Sequence, residues 1–217
     1  MSVLSDLISV AVISGMIGSA VPIVLPAIGA SYSEGSGIIN IGLEGMGLMG
    51  AWSAVAVSYF IGSPWLGLLT AGIIGGLMSL ILAFLSVLYN ANQILVGVGI
   101  NLLATALTRF LTWMIWGSKG TSASVPSLPN ISIPIISQIP YLGPIIGQQN
   151  VMAYIMFGII VIGHIVLFKT PFGLRLRSCG EHPEASESAG IDVYKMRFIG
   201  VFISGALAGL GGANISI

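Results

Sequence analysis

Polar side chains interrupt an otherwise apolar sequence at a glycine-rich segment. Residues 33–52 (SEGSGIINIGLEGMGLMGAW) include six glycines and place Glu34, Asn40 and Glu44 between two apolar runs. Glycine frees the backbone to leave helical geometry, and irregular backbone at membrane depth is tolerated only where it lines a cavity or is covered by protein. The segment therefore predicts a discontinuous helix on a water-filled path, with Asn40 and Glu44 as polar contacts. The alternative is an interfacial loop that carries two solvated carboxylates.

A polar stripe follows one face of a later apolar run. Its members are spaced 4, 4, 3 and 4 residues apart, so they share one face of a helix: Gly97, Asn101, Thr105, Thr108 and Thr112. Such a stripe faces either a water-filled path or neighbouring helices, where small residues and hydroxyls hold helices together. The spacing leaves both alternatives open. Arg109, one turn beyond Thr105, is placed to reach the membrane interface or to pair with an acid.

The sequence TPFGLRLRSCGEHPEASESAGIDVYKMR, residues 170–197, contains signals for a very short helix. Pro183 suits the first helical turn, and Glu184 is favourable near the positive end of the helix dipole. Gly190 suits the left-handed position that ends a helix. These signals predict a helix from Pro183 to Ala189.

This short helix has a small apolar face. Ala185 and Ala189 lie one turn apart, and Ile191 extends their face past the end of the helix. A helix of this length gains its stability mainly by packing. We therefore expect it to dock against another protein; the alternative is a solvated helical turn in a charged loop.

The reactive residues form none of the common catalytic motifs. The sequence has no G-x-S-x-G, H-E-x-x-H, C-x-x-C or G-x-x-x-x-G-K-[ST] motif. His164 and His182 stand apart, and the single Cys179 forms neither an internal disulfide nor a metal cluster. Seven Lys and Arg balance seven Asp and Glu, so the sequence carries no nucleic-acid footprint. If ATP drives this protein, another chain must bind it.

The elements that position these residues have the composition of membrane spans. Hydrophobic residues make up 55% of the chain and charged residues 6%, against about 45–50% and about 25% in a soluble domain. Because about 20 apolar residues span a bilayer core, the sequence predicts an all-α polytopic transmembrane helix bundle. Two glycine pairs, Gly72 with Gly76 and Gly205 with Gly209, have the spacing of closely packed helices. The predicted spans are about 7–30, 46–62, 65–89, 91–116 and 151–168, with a sixth that begins near Phe198 and a broken or re-entrant element near residues 31–50.

One transmembrane domain, residues 1–217, is predicted with two large loops. Five of the ten prolines lie in residues 117–150, which predicts an irregular loop with short extended pieces. Five of the seven Lys and Arg lie in residues 169–197, which the positive-inside rule places in the cytoplasm, so that loop 117–150 lies outside. Simple alternation then puts the N-terminus outside, and a re-entrant element would reverse that. The uncharged run 198–217 stops without a polar tail, which predicts a C-terminally truncated chain.

Two stretches resemble one family, the permease subunits of bacterial and archaeal ATP-binding-cassette importers for branched-chain amino acids, ribose-type sugars and nucleosides. SGIINIGLEGMGLMGAW resembles the early signature of the simple-sugar and nucleoside branch. FGLRLRSCGEHPEASESAGIDVYKMR followed by ISGALAGLGGA resembles the cytoplasmic loop and the start of the next helix. This second match is the more specific one, because its charged, proline and glycine positions all fall in order. The resemblance covers about Ser31 to Ala213.

The resemblance implies partners and residue roles. Similar permeases pair as two transmembrane subunits, receive solute from an extracytoplasmic substrate-binding protein, and rest on two cytoplasmic ATPase subunits. Those ATPases carry ATP and Mg²⁺, so no cofactor is expected in this chain. The expected substrate-path residues are Asn40, Glu44, Gly45, Asn101 and Thr105. The coupling helix corresponds to residues 181–191, and the residues expected to contact the ATPase are Gly180, Glu181, Pro183, Glu184, Ala185, Ala189, Gly190 and Ile191.

The function expected from these features is that of a permease subunit for nucleosides or simple sugars in the cytoplasmic membrane of a bacterium or archaeon. Hydroxyl and amide groups along the path suit an uncharged polar solute better than an anion. A branched-chain amino acid permease is the alternative within the family. Outside it, the chain is an ATP-independent secondary transporter with Glu44 as the proton-coupling acid, or a truncated and inactive product.

Overall fold

Helices dominate the fold, because a helix satisfies its own backbone hydrogen bonds and needs no water to do so. A computed structural model describes residues 10–118, 120–132 and 147–217. A π-helical turn, Phe84–Leu88, continues the third helix. The elements in chain order are α1 (Val10–Gly35), α2 (Leu43–Ile61), α3 (Pro64–Ala83), α4 (Gln93–Trp116), β1 (Asn130–Ser132), β2 (Gln148–Asn150), α5 (Val151–Lys169), α6 (Pro171–Glu181), α7 (Pro183–Ser188) and α8 (Val193–Ser216).

Five of these helices are long and apolar enough to cross a membrane, which confirms the predicted polytopic bundle. They are α1, α3 with its π-helical turn, α4, α5 and α8. The predicted span 46–62 is the helix α2, which lies outside that group because Glu44 and several glycines and serines dilute its apolar residues. The last span begins at Val193 rather than near Phe198, since Asp192 caps it and accepts a hydrogen bond from the Lys195 backbone N–H.

Capping residues set most other helix boundaries. Asn92, Asn150 and Thr170 precede α4, α5 and α6, and each side chain accepts a backbone N–H of the first turn. Gly62 and Gly117 follow α2 and α4 in the left-handed conformation, with φ of 74° and 70°. Local sequence signals therefore decide where the long helices begin and end.

Helix α8 lies at the centre of the bundle and packs through glycine. A Cβ atom at Gly209 would overlap the Ala71 carbonyl oxygen of α3, and one at Gly212 would overlap the Gly47 carbonyl oxygen of α2. Backbones can approach this closely only where no side chain intervenes. Glycine on α8 thus replaces side-chain packing with direct contact between helix backbones.

The glycine pairs predicted on α8 and α3 both lie where these two helices pack together, and a further glycine of α3 makes the closest contact. A Cβ at Gly205 would overlap the backbone oxygen of Gly75, so Gly75 provides the close contact on α3. Gly76 instead faces the Phe202 ring, and Gly72 faces the Leu210 side chain. All three glycines of α3 therefore lie against α8, and the closest approach is at Gly75, which the predicted spacing did not include.

Contacts with α8 show that α1 and α2 run in opposite directions. A Cβ at Gly29 would lie 2.8 Å from the Ser204 oxygen and one at Gly211 would lie 2.9 Å from Pro26, so α1 is antiparallel to α8. Gly47 of α2 lies against Ala208, and Ala51 accepts a hydrogen bond from Ser216 near the end of α8, so α2 is parallel to α8. The glycine-rich segment therefore breaks the chain between two antiparallel helices and is not re-entrant.

The bundle has two chemically different ends. The basic end holds α6, α7 and the start of α8. At the opposite end, Gln149 donates to the Ser14 hydroxyl, so the start of α1 lies beside the start of α5, in agreement with simple alternation. The described parts of the proline-rich loop lie at this end as well, where β1 pairs with β2 antiparallel, with Asn130 opposite Asn150. Residues 133–146 of that predicted loop lie outside the described residues.

Candidate functional site

The connection between α1 and α2, residues 36–42, is held by local hydrogen bonds where α1 ends. Gly37 adopts a φ of 87°, a conformation that favours glycine. The Ser33 hydroxyl donates to the Ile38 carbonyl at 2.6 Å, and the Ile38 N–H donates to the Ser33 carbonyl at 3.1 Å. The Ser36 hydroxyl donates to the Ser33 carbonyl at 2.7 Å. We call residues 36–42 the break.

Asn40 anchors the break to the central helix. Its side chain is 6% exposed. The amide oxygen accepts the Gly42 N–H at 3.0 Å, and the amide nitrogen donates to the Ser204 hydroxyl at 3.0 Å and lies 3.4 Å from the Met46 sulfur. Both ends of the amide are thus paired within the protein.

Helix α4 holds the break from the other side. Asn101 accepts the Gly45 N–H at 2.8 Å and donates to the Ile41 carbonyl at 3.1 Å. Gly45 is required there, because a Cβ would lie 2.9 Å from the Asn101 amide oxygen. Gln93 accepts the Ile39 N–H at 2.7 Å. These bonds satisfy backbone groups that an interrupted helix leaves without partners.

Most of the predicted substrate-path residues therefore meet at the break. Asn40, Gly45 and Asn101 are brought together, and Thr105 donates to the Asn101 carbonyl at 2.8 Å. Glu44 is exposed in the first turn of α2 and forms no ion pair with the residues that the structure describes. Their role in moving a solute stays a prediction, since the amides already have partners.

The break also contacts the basic end, at a place we call the joint: Ser36, Gly37, Gly180 and Arg197. A Cβ at Gly180 of α6 would lie 3.0 Å from the Gly37 nitrogen, and one at Gly37 would lie 3.2 Å from the Gly180 Cα. Arg197 of α8 donates from Nε to the Ser36 carbonyl at 3.3 Å. The joint brings segments together that are more than 140 residues apart in sequence.

The predicted short helix forms at the basic end. It is α7, which ends at Ser188 with Ala189 as its cap, and Gly190 follows with a φ of 79°. Sequence reasoning missed α6, although Thr170 followed by Pro171 is a helix-start signal. That helix contains Gly180, so the missed element is the one that reaches the break.

A groove of about 610 Å³ runs between α6 and α7. The predicted apolar face lines it, because Ala185, Ala189 and Ile191 all belong to its wall. Glu184 is exposed but does not belong to the wall. The described residues that line the groove are Leu174, Arg175, Ser178, Glu181, His182, Ala185, Ser186, Ala189 and Ile191.

Asp192 joins the groove to the central helix by starting α8. The Lys195 backbone N–H donates to its carboxylate at 3.0 Å and lowers the pKa of Asp192 below its ordinary value. The Lys195 ammonium lies 3.4 Å from the same carboxylate. Both side chains of this ion pair are largely exposed, so the cap contributes more than the ion pair.

A second cavity, of about 810 Å³, lies between α2 and α4 toward the opposite end. The threonines of the predicted polar stripe form part of its wall, and Arg109 lies among them. Sequence reasoning missed the aromatic residues here, although Trp113 and Trp116 are spaced for one helix face. The described lining residues are Leu48, Ala51, Trp52, Val55, Thr105, Thr108, Arg109, Phe110, Thr112, Trp113, Trp116, Gly120, Ser122 and Ser216.

Five membrane-length helices around a glycine-packed centre make this chain a multi-pass membrane protein. The chain belongs to the family described as branched-chain amino acid transport system / permease component, whose profile matches residues 12–217.

Three curated relatives illustrate what the chain is similar to. The guanosine ABC transporter permease protein NupQ of Bacillus subtilis is 44% identical over 89% of this chain and 63% of its own length. The nucleoside ABC transporter permease protein NupC of Lactococcus lactis is 37% identical over 93% of this chain and 66% of its own. The putative glucose ABC transporter permease protein TsgC13 of Haloferax volcanii is 29% identical over 94% and 62%. The chain thus spans just under two thirds of the length of these relatives, and no solved structure matches it.

Proposed function

We propose that this chain is a permease subunit of an ATP-binding-cassette importer that carries nucleosides or simple sugars across the cytoplasmic membrane of a bacterium or archaeon. The observation that carries the proposal is the adjacency of Gly180 and Glu181 in α6. Gly180 lies against the break, and Glu181 lines the groove between α6 and α7. A protein seated in the groove therefore pushes on the segment that separates α1 from α2.

The occupant of that groove is a cytoplasmic ATPase subunit, which binds the ATP and Mg²⁺. The basic end carries five of the seven Lys and Arg, and the positive-inside rule places such a loop in the cytoplasm. The groove wall is mostly apolar, with Leu174, Ala185, Ala189 and Ile191 available to bury against a partner. NupQ and NupC are themselves named as ABC transporter permeases, which supports the same assignment.

The remaining partners follow from the same class. A second permease subunit, identical or different, completes the path, and lipid surrounds the bundle. An extracytoplasmic substrate-binding protein delivers the solute at the opposite end, where the proline-rich loop lies. The names of the guanosine and nucleoside permeases favour nucleosides as the solute, and that of TsgC13 keeps simple sugars in the proposal.

Branched-chain amino acids are the second candidate solute. The family description names them, and Arg109 offers a guanidinium that pairs well with a carboxylate. Leucine uptake without nucleoside uptake would support this candidate over the first.

The test is co-purification of the chain with the ATPase subunits encoded next to its gene. Glu181→Ala and Ala185→Arg alter the groove wall. Glu187→Ala and Ser188→Arg are matched controls, because both side chains are exposed on α7 and neither lines the groove. We expect the wild type and both controls to retain the ATPase and the two groove variants to lose it. Equal retention by all five proteins would contradict the proposal.

A further inference from the structure

We propose that the cavity between α2 and α4 binds the planar heteroaromatic ring of an uncharged solute, the chemistry of a nucleobase, at the opposite end of the bundle. This inference rests on the proposed function, because it names the solute of the same importer and the place where that solute binds. The walls, the hydrogen-bonding groups and the charge of the cavity all fit such a ring.

Aromatic side chains supply the walls. Trp52, Phe110, Trp113 and Trp116 all line the cavity. Trp116 packs edge-on against Tyr59 with ring centroids 5.7 Å apart, so its orientation is fixed before a ligand arrives. Bases stack on aromatic side chains because every base has a π-face. A volume of about 810 Å³ is within the range of small-molecule pockets.

The threonine hydroxyls supply acceptors. Thr105, Thr108 and Thr112 each donate to a carbonyl one turn earlier in α4, at 2.8, 2.8 and 2.6 Å. Each hydroxyl proton is therefore already used, and the oxygen lone pairs remain as acceptors. They suit the N–H and O–H groups that a nucleoside carries on its base and its ribose.

Arg109 supplies donors. It is exposed, and it forms no ion pair with the residues that the structure describes. A charged side chain in a membrane-length helix is costly, so an unpaired one is a functional candidate. The planar guanidinium fork bonds two acceptors that share a plane, as arginine does with the carbonyl oxygen and ring nitrogen of guanine.

The charge of the cavity argues against the other solute classes. None of the described residues that line it is acidic, so the ammonium group of a free amino acid meets only the positive charge of Arg109. A free sugar offers hydroxyls to the threonines, but it has no planar pair of acceptors for Arg109. A heteroaromatic ring with a ribose uses the walls, the acceptors and the donors together.

The test measures ATP-dependent uptake by the complete importer in vesicles, with guanosine, ribose and leucine as separate probes. We expect guanosine uptake, with KM raised about tenfold by Trp113→Ala, Trp116→Ala or Arg109→Gln, since stacking and charged hydrogen bonds are each strong enough for such a change. Trp116→Phe keeps a ring to stack on and is expected to retain most of the affinity. Thr105→Val with Thr108→Val is expected to raise KM several-fold.

Matched controls separate recognition from folding. Trp65→Ala removes a tryptophan at the start of α3, and Thr70→Val removes a hydroxyl that also bonds its own helix. Neither residue belongs to the cavity wall. Membrane levels of every variant are compared by immunoblot, and the two controls are expected to leave the KM for guanosine unchanged.

The outcomes separate this inference from the proposed function. Guanosine uptake with an unchanged KM in the cavity variants overturns the inference and leaves the importer intact. Uptake of ribose or leucine without uptake of guanosine also overturns the inference and leaves the importer intact. No ATP-dependent uptake of any probe, together with no retention of the ATPase, overturns both.

Discussion

The break and the α2–α4 cavity differ in how their polar groups are paired. At the break, Asn40 uses both ends of its amide, and so does Asn101. In the cavity wall, Arg109 is exposed and forms no ion pair with the residues that the structure describes. Paired polar groups hold a structure together, whereas unpaired ones are available to a ligand. We therefore infer that the polar groups of the break stabilise the fold, whereas those of the cavity recognise the solute.

The largest effect is expected when a polar group of the break is removed. Asn40→Ala leaves the Gly42 N–H and the Ser204 hydroxyl without their partner in a buried place, so we expect a loss of about 3 kcal/mol in the free energy of unfolding. Asn40→Asp keeps the acceptor for Gly42 but loses the donor to Ser204 and places a carboxylate in a buried site, so a loss at least as large is expected. The measurement is the fraction of monodisperse protein that remains after heating in detergent.

The cavity provides the contrasting variant. Thr105→Val removes a hydroxyl whose hydrogen bond stays within its own helix, so we expect a stability change of about 0.5 kcal/mol or less. If Asn40→Ala and Thr105→Val destabilise the protein equally, the distinction between the two regions is wrong. If Asn40→Ala leaves the stability unchanged, the Asn40 side chain is not needed for folding and is available to contact the solute.

An intermediate effect is expected at the joint. Gly180→Ala places a methyl group 3.0 Å from the Gly37 nitrogen and closer still to the Gly35 carbonyl oxygen. Because backbone must move to accept it, we expect a loss of about 2 kcal/mol in stability and a weaker coupling of ATP hydrolysis to uptake. Thermal stability and the ratio of solute moved to ATP hydrolysed are the two measurements.

Gly99→Ala is the matched control for that substitution. A Cβ at Gly99 of α4 meets nothing within 4 Å, so alanine is expected to be neutral or to stabilise the helix by up to about 1 kcal/mol. Loss of coupling in Gly99→Ala as well would mean that glycine content rather than the joint matters.

Local signals made much of the fold predictable. Composition predicts the membrane bundle, and Pro183 with Gly190 predicts α7 within one residue of its end. The polarity of Asn40 and Asn101 in an apolar sequence predicts that they matter, and both bond groups at or beside the break. A polar residue in an apolar run marks an important place because it is costly there, whichever role it has.

The roles at that place could not be predicted, because they depend on contacts distant in sequence. Asn40 bonds Ser204, 164 residues later, and nothing near Asn40 specifies this partner. Gly180 lies in a charged stretch of the sequence, near the end of α6, so its sequence neighbours do not suggest contact with Gly37. The cavity needs Trp52 of α2 to face the threonines of α4, which depends on how two helices pack.

The smallest effect is expected at Asp192, where the polar group is paired but exposed. Its pKa is lowered in the folded state by the Lys195 backbone N–H. The cap therefore stabilises α8 fully above about pH 4, the pKa of an unfolded aspartate, and this contribution is lost as the pH falls through the lowered value.

Asp192→Asn keeps a capping oxygen without the charge, so we expect the same fold near neutral pH and a weaker dependence of stability on acid. Thermal stability between pH 3 and pH 7 measures it, and Glu187→Gln, an exposed acid on α7 away from this cap, should leave the pH dependence unchanged. An Asp192→Asn protein that loses stability with acid as steeply as the wild type would contradict this prediction, because the acid dependence would then come from groups other than the Asp192 carboxylate.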